Sequence, residues 1–276
     1  MAPRGAGAST RLLALLGDPV AHSLSPRMQN AGIQALGLDG VYLCLRTSPG
    51  DVAGLIRGIA GSGGGGNVTL PHKEEAARVV EAPTEAVVRT GACNTFWMED
   101  GVLRGDNTDV VGVRTAVTSL LGTPPTGARI LLLGAGGAAR GVALGLLMDD
   151  PERVAIRNRT PARGEELARL LDDPRVEAVA ATPAGDEGWD LVVNATRLGL
   201  HPTDPLPLDP GQGRVGAVLD VVYGSRPTPL VERARELGIP AADGREMLLQ
   251  QGMASFRHWW GVPAPEAAMR AALEGP

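Results

Sequence analysis

A continuous apolar stretch, Ile130 to Leu133, runs straight into Gly134-Ala135-Gly136-Gly137-Ala138-Ala139-Arg140-Gly141 and then into a helical pattern reaching about Met148. Strand, glycine turn and helix in that order make GxGxxA a dinucleotide-binding pattern. The glycines let the backbone approach a pyrophosphate at the helix N-terminus. Gly134, Ala135, Gly136, Gly137 and Ala138 are therefore the candidate cofactor loop. The alternative is a tight strand-helix turn that binds nothing.

The next strand, Arg153 to Ile156, ends in Arg157-Asn158-Arg159-Thr160, with Arg163 close behind. An NAD-binding unit would place an acidic residue here to accept from the ribose hydroxyls. Asn158, Arg159, Thr160 and Arg163 instead suit the extra phosphate of NADP, since a guanidinium matches phosphate in a bidentate way. A solvated basic cluster leading a helix over 161–171 is the plainer alternative. Further strands at Leu191 to Val193 and Ala217 to Val222 alternate with helices, which predicts a doubly wound parallel sheet. Ligands of such sheets lie beyond the carboxyl ends of the strands, where Asn194, Thr196, Val221 and Tyr223 fall.

Ahead of that unit, Leu12 to Leu16 reads as a buried strand and Gly17-Asp18-Pro19 as a turn. Ser25 followed by Pro26 predicts a helix start, with Ser25 as the cap and Gly37 as the stop. The other reading of Ser23 and Ser25 is two hydroxyls turned toward a substrate. Val41 to Leu45 is a second strand and Val52 to Ile59 a short helix. Gly61 to Gly66 holds five glycines and one serine, a composition that predicts a loose connection. In Asn67-Val68-Thr69-Leu70-Pro71-His72-Lys73 the alternation predicts a short strand stopped by Pro71, with Lys73 just beyond it, where loop residues commonly carry chemistry. Residues 74–88 read as helix interrupted at Pro83. A strand pair around Thr95 to Met98 and Gly101 to Leu103 turns at Glu99-Asp100-Gly101. The aromatics Phe256, Trp259 and Trp260 in the last helix read as packing.

Composition narrows the functional classes. A net charge of -5 argues against nucleic acid as the main partner, and the apolar runs are far shorter than a membrane span. No secretory leader is visible, so a cytoplasmic address is expected. Two cysteines without CxxC and four scattered histidines suggest neither a disulfide framework nor a metal site.

The chain resembles the shikimate dehydrogenase family at HSLSP (22–26), NVTLPHK (67–73), GACNT (91–95), DNTD (106–109), GAGGAARG (134–141), NRTPAR (158–163), NAT (194–196) and GREMLLQQ (244–251). The resemblance implies reversible, NADPH-dependent reduction of 3-dehydroshikimate to shikimate, a step of aromatic amino acid biosynthesis. It implies Lys73 and Asp109 as the catalytic pair and Ser23 and Ser25 on the ring carboxylate. Thr69, Asn94 and Gln251, with Asn67 as a weaker candidate, would bind the ring hydroxyls and the reacting oxygen, and Tyr223 would make a further substrate contact. Gly134 to Ala138 and the 158–163 cluster carry over as cofactor residues, with Asn194, Thr196, Val221 and Gly244 as additional contacts.

The implied architecture is a two-domain α/β enzyme. Residues 1–108, completed by 244–276, form a substrate domain; residues 109–243 form a Rossmann NADP-binding domain, with the active site in the cleft between them. A homodimer is compatible with the resemblance. A quinate- or aminoshikimate-oxidising relative using NAD or NADP, and a non-catalytic nucleotide and metabolite sensor, are the rival readings. The sequence departs from the family pattern in the glycine run before Asn67, in Arg197 after NAT, in Val221 in place of methionine, and in Gln29 in place of histidine.

Overall fold

In the computed structural model, which describes residues 7–180, 188–201, 203–224 and 226–274, the chain forms two units, Met1–Thr108 with Leu248–Pro276 and Asp109–Met247. Those of the first unit are β1 (Arg11–Gly17), α1 (Ser25–Ala35), β2 (Gly40–Arg46), α2 (Val52–Gly61), β3 (Gly65–Val68), α3 (Lys73–Val79), β4 (Ala82–Pro83), α4 (Glu85–Thr90), β5 (Thr95–Glu99) and β6 (Val102–Asp106). They build a mixed sheet ordered β2-β1-β3-β5-β6-β4. β1 pairs in parallel with β2 and β3, while β5 is antiparallel to β3 and β6. One face buries Leu16, Val52, Ile56, Val68 and Phe96, apolar groups spaced by two along the strands and by about four along α2.

The second unit contains α5 (Asp109–Leu121), β7 (Arg129–Leu133), α6 (Gly137–Leu147), β8 (Arg153–Arg157), α7 (Pro161–Leu171), β9 (Val176–Ala178), β10 (Leu191–Asn194), β11 (Val218–Asp220), α8 (Pro229–Glu236) and β12 (Ala241–Ala242). Its strands are all parallel, in the order β12-β11-β10-β7-β8-β9. Numbered within the unit this is 3-2-1-4-5-6 read from β9, the doubly wound dinucleotide-binding order. Because both faces of a parallel sheet are covered, β7 and β10 are apolar except at Arg129 and Asn194: Leu131, Leu132, Val192 and Val193 are fully buried. α9 (Arg245–Trp260) starts in this unit and its residues from Leu248 belong to the first, followed by α10 (Glu266–Glu274).

Three local expectations are corrected. The glycine run is not a loose connection: Gly61 ends α2, and Gly65 and Gly66 begin β3, fully inside the sheet. A Cβ on Gly64 would lie 2.2 Å from the Leu12 carbonyl oxygen, one on Gly65 2.7 Å from Trp259, and one on Gly66 2.2 Å from the Ala14 carbonyl oxygen. The glycines are there because backbones approach too closely for any side chain. The strand accordingly ends at Val68 instead of Leu70. Second, Ser25 does not cap α1; it is the first helical residue, and its N–H donates to Ser23 Oγ at 3.2 Å. Ser23 thus does the local capping two residues early. Third, the helix expected over 74–88 breaks after Val79, with β4 and α4 as separate elements, and Lys73 is the first residue of α3. The turn at Glu99-Asp100-Gly101 is as expected, with φ of 51° and 77° at its two central residues Asp100 and Gly101, the mirror-image geometry that hairpins favour. The aromatics of α9 do pack: Phe256 is fully buried, and Trp259 Nε1 donates to the Phe96 carbonyl at 3.2 Å.

Candidate active site and cofactor loop

In the first unit the ends of β3, β5 and β6 are joined through side-chain amides and hydroxyls. Asn67 and Thr95 are register partners across β3 and β5, and Thr95 faces Asp106 across β6. Asn67 Oδ1 accepts from the Tyr42 hydroxyl at 2.8 Å, and its Nδ2 faces the Asn94 carbonyl, Thr95 Oγ1 and Ser255 Oγ at 3.0 to 3.1 Å. Two amide hydrogens already have three acceptors, so the side chain of Asn67 is fully engaged in the framework. Asn94 Oδ1 accepts from the Thr108 N–H at 2.8 Å and from Thr95 Oγ1 at 2.9 Å. Thr108 Oγ1 donates to Gln251 Oε1 at 3.4 Å, and Ser255, one turn further along α9, donates to the Gln251 carbonyl at 3.0 Å. Asn67, Asn94 and Gln251 are thus brought together in one buried network. A network this fully satisfied holds its members in one arrangement.

Lys73 is tied to the same network through its backbone. Its carbonyl accepts from the Cys93 N–H at 2.9 Å, and the Asn94 carbonyl accepts from the Val68 N–H at 2.8 Å, so the turn before α3 is fixed against 93–94. Lys73 itself is buried. Next to it, His72 Nε2 meets the Thr47 carbonyl at 2.8 Å, and the Thr69 N–H donates to Leu16 at 2.8 Å. The hydroxyls of Thr69 and Ser25 make no hydrogen bond among the described residues, and Ser25 is only 5% exposed. They are open to a ligand in a way Asn67 is not. Asp109 is buried at the start of α5 in the second unit, and Tyr223 lies half-buried just past β11.

Within the second unit the turn after β7 has the features a dinucleotide needs. Gly134 has φ 111° and donates its N–H to the Arg157 carbonyl at 2.8 Å; a Cβ there would lie 2.9 Å from the Ala195 carbonyl oxygen. Gly136 is exposed at the N-terminus of the eleven-residue α6, with open space where a Cβ would stand. Asn158 Nδ2 closes its own turn on the Thr160 carbonyl at 2.9 Å. Arg159 and Arg163 are exposed, and their guanidinium groups form no ion pair among the described residues. The donor set fits an NADP cofactor: helix N–H groups for a pyrophosphate and uncommitted guanidinium groups for a further phosphate.

At the carboxyl ends of β10 and β11, Asn194 is saturated. Its Nδ2 donates to Asp220 Oδ1 at 2.8 Å and to the Leu198 carbonyl at 3.0 Å, while Oδ1 accepts from the Thr196 N–H and hydroxyl at 3.1 and 2.7 Å. Thr196 Oγ1 accepts in turn from the Leu198 N–H at 3.1 Å. Gly244 packs so tightly against Val221 that a Cβ would meet its carbonyl oxygen at 2.1 Å.

Three family models cover the chain: "Shikimate dehydrogenase substrate binding domain" over residues 15–96, "Shikimate / quinate 5-dehydrogenase" over 119–197, and "Shikimate 5'-dehydrogenase C-terminal domain" over 244–274. The NADP(+)-dependent shikimate dehydrogenase of Moorella thermoacetica is 42% identical over 272 residues, spanning 95% of this chain and 92% of its own. The chain belongs to the shikimate dehydrogenase family. The family places it among the NADP-dependent oxidoreductases that act on a CH–OH group. The fold agrees with that of the Aquifex aeolicus shikimate dehydrogenase, with TM-score 0.88 at 33% identity over 98% of this chain and 99% of that one. A Thermus thermophilus shikimate 5-dehydrogenase, solved with NADP(H) and shikimate, matches with TM-score 0.81 at 36% identity, covering 95% and 98%.

The departures from the shikimate dehydrogenase pattern now have surroundings. Gln29 is fully buried and donates to the Gly252 carbonyl at 2.9 Å, joining α1 to α9. The reading of motifs alone missed Tyr42 and Ser255 of the substrate-domain network and Asp220 and Thr228 of the cofactor unit. Only Ser255 offered a signal, its spacing of four from Gln251 on one helix face.

Proposed function

We propose that this chain catalyses the reversible NADPH-dependent reduction of 3-dehydroshikimate to shikimate, in aromatic amino acid biosynthesis. The observation that carries the reading is the buried network that fixes Asn94, Gln251 and the turn bearing Lys73 while leaving the Ser25 and Thr69 hydroxyls uncommitted. Ser23 and Ser25 hold the ring carboxylate; Thr69, Asn94, Gln251 and Tyr223 meet the ring oxygens. A site built to hydrogen-bond each hydroxyl rejects analogues that lack one.

Bound NADPH supplies the hydride. Lys73 and Asp109 serve the oxygen on which alkoxide charge develops, and a positioned acid there contributes about 100- to 10,000-fold. Gly134 to Ala138 and the N-terminus of α6 hold the pyrophosphate, and Asn158, Arg159, Thr160 and Arg163 hold the additional phosphate. Asn67 supports this arrangement from behind, and Asn194 and Thr196 shape the loop beyond β10 through the bonds they make to each other. Val221 and Gly244 shape its neighbour.

Both cysteines are unpaired, in keeping with the reducing cytoplasm as its place of work. No described helix is long and apolar enough to cross a membrane. The reading needs a single chain per site, and a homodimer would carry two. The test is an assay of shikimate and quinate against NADP and NAD in all four pairings, following absorbance of the reduced nicotinamide. Fastest turnover with shikimate and NADP is expected; preference for quinate or for NAD moves the chain to another branch of the family, and cofactor binding without turnover in any pairing makes it a sensor.

A further inference from the structure

Asp220 ends β11 and is fully buried, yet its carboxylate is met only by neutral donors. Thr228 Oγ1 donates to Oδ2 at 2.6 Å; Asn194 Nδ2 and the Val222 N–H donate to Oδ1 at 2.8 and 3.0 Å. Among the described residues no guanidinium or ammonium pairs with it. The charged group that acts on it is Asp243, a like charge that is itself paired with Arg245 at 3.3 Å. Burial pushes the Asp220 carboxyl up to about 6, so it is ionised at pH 8 and neutral at pH 5.

In a sheet of this order the pyrophosphate lies at the first glycine turn, here after β7, and each half of the sheet takes one mononucleotide. The half containing β10, β11 and β12 is the one opposite the phosphate-binding arginines, and so takes the nicotinamide end. We propose that Asp220 sets the preference between oxidised and reduced cofactor, its unpaired charge at the end of β11 favouring NADP+, whose ring is cationic, over NADPH, whose ring is neutral. The proposal rests on the reading of this sheet as the NADP-binding unit. A tenfold change in the binding ratio corresponds to about 1.4 kcal/mol between the two ring charge states, the scale on which a buried, weakly screened charge acts.

Asp220→Asn separates charge from shape. An asparagine can accept from Asn194 and Val222 through its oxygen and donate to Thr228 through its nitrogen, the threonine hydroxyl reversing its role. The experiment measures Kd for NADP+ and for NADPH on the full-length protein without substrate, by calorimetry and nucleotide fluorescence, from pH 5 to pH 8. The 2′-phosphate titrates in both cofactors and cancels in the ratio. In the parent the ratio Kd(NADP+)/Kd(NADPH) is expected to fall roughly tenfold as pH rises through about 6, and in Asp220→Asn to stay flat at the acid value. Should that variant not fold, Thr228→Val serves, since losing a donor to the ionised form moves the midpoint to higher pH. A ratio in the parent that does not change with pH would overturn the proposal and leave Asp220 as scaffold only. Failure of the folded parent to bind either cofactor would overturn the NADP-binding reading and the proposal together.

Discussion

Asn67 on β3 and Ser255 on α9, 188 residues apart in the chain, meet at 3.0 Å through Nδ2 and Oγ. That bond joins the last long helix to the end of the first sheet, where Ser255 also meets Thr95 Oγ1 at 2.8 Å and Thr108 Oγ1 at 3.2 Å. Every member is buried, so removing one partner strands the others without water. Ser255→Val is expected to destabilise the protein by about 2 kcal/mol. Urea unfolding checks this, and a midpoint equal to that of the parent would show that the network carries no stability.

The glycine run makes two opposite predictions a few residues apart. Gly66→Ala drives a Cβ to 2.2 Å from the Ala14 carbonyl oxygen and should cost about 3 kcal/mol or abolish folding. Gly61→Ala, at the end of α2 with nothing within 4 Å, should stabilise by about 0.5 kcal/mol. Thermal unfolding of the two variants checks the pair; equal effects would mean the run is a simple connection after all.

Those glycines also show what could be read in the chain and what could not. The glycine turn between β7 and α6 was legible because strand, glycines and helix N-terminus are contiguous there, and their spacing alone carries the geometry. The glycines before Asn67 looked like a loose segment because the atoms that forbid side chains there belong to Leu12, Ala14 and Trp259, which are distant in sequence. Ser25 looked like a cap because serine before proline usually is one; the neighbouring Ser23 takes that bond instead. Asp220 gave no local signal, since its donors come from β10, the start of α8 and its own loop.

Lys73→Ala should lower kcat by about 100- to 10,000-fold while shikimate binding stays within a few-fold of the parent. Turnover kinetics set beside equilibrium binding of shikimate separate the two effects. Turnover close to that of the parent would remove Lys73 from the proposed chemistry.

Arg159 is exposed and makes no ion pair among the described residues, so its loss should barely change stability. A charge-assisted hydrogen bond to phosphate is worth enough to lower affinity roughly tenfold when removed. Arg159→Ala should therefore raise the KM for NADP by about that factor and leave the KM for NAD unchanged. Parallel loss with both cofactors would mean the arginine holds the fold of the loop and not a phosphate.

The raised Asp220 value has a consequence for stability whose sign is opposite to that of an ion-paired carboxylate. Its ordinary value is 3.8 and burial lifts it to about 6, so the native state binds this proton more tightly than the unfolded chain. Its contribution is fully present below the unfolded value, and it is lost as pH rises through the folded one. Relative to a variant without the charge, the parent should gain up to about 3 kcal/mol between pH 7 and pH 4. Urea midpoints of the parent and Asp220→Asn at pH 7, 5 and 4 give the difference directly, and the other titrating groups cancel in it. A difference that widens in favour of the parent on acidification identifies a buried carboxylate held at a cost at neutral pH. A difference independent of pH would mean that Asp220 keeps an ordinary acidity, its three donors cancelling the effect of burial, whereas burial outweighs them here.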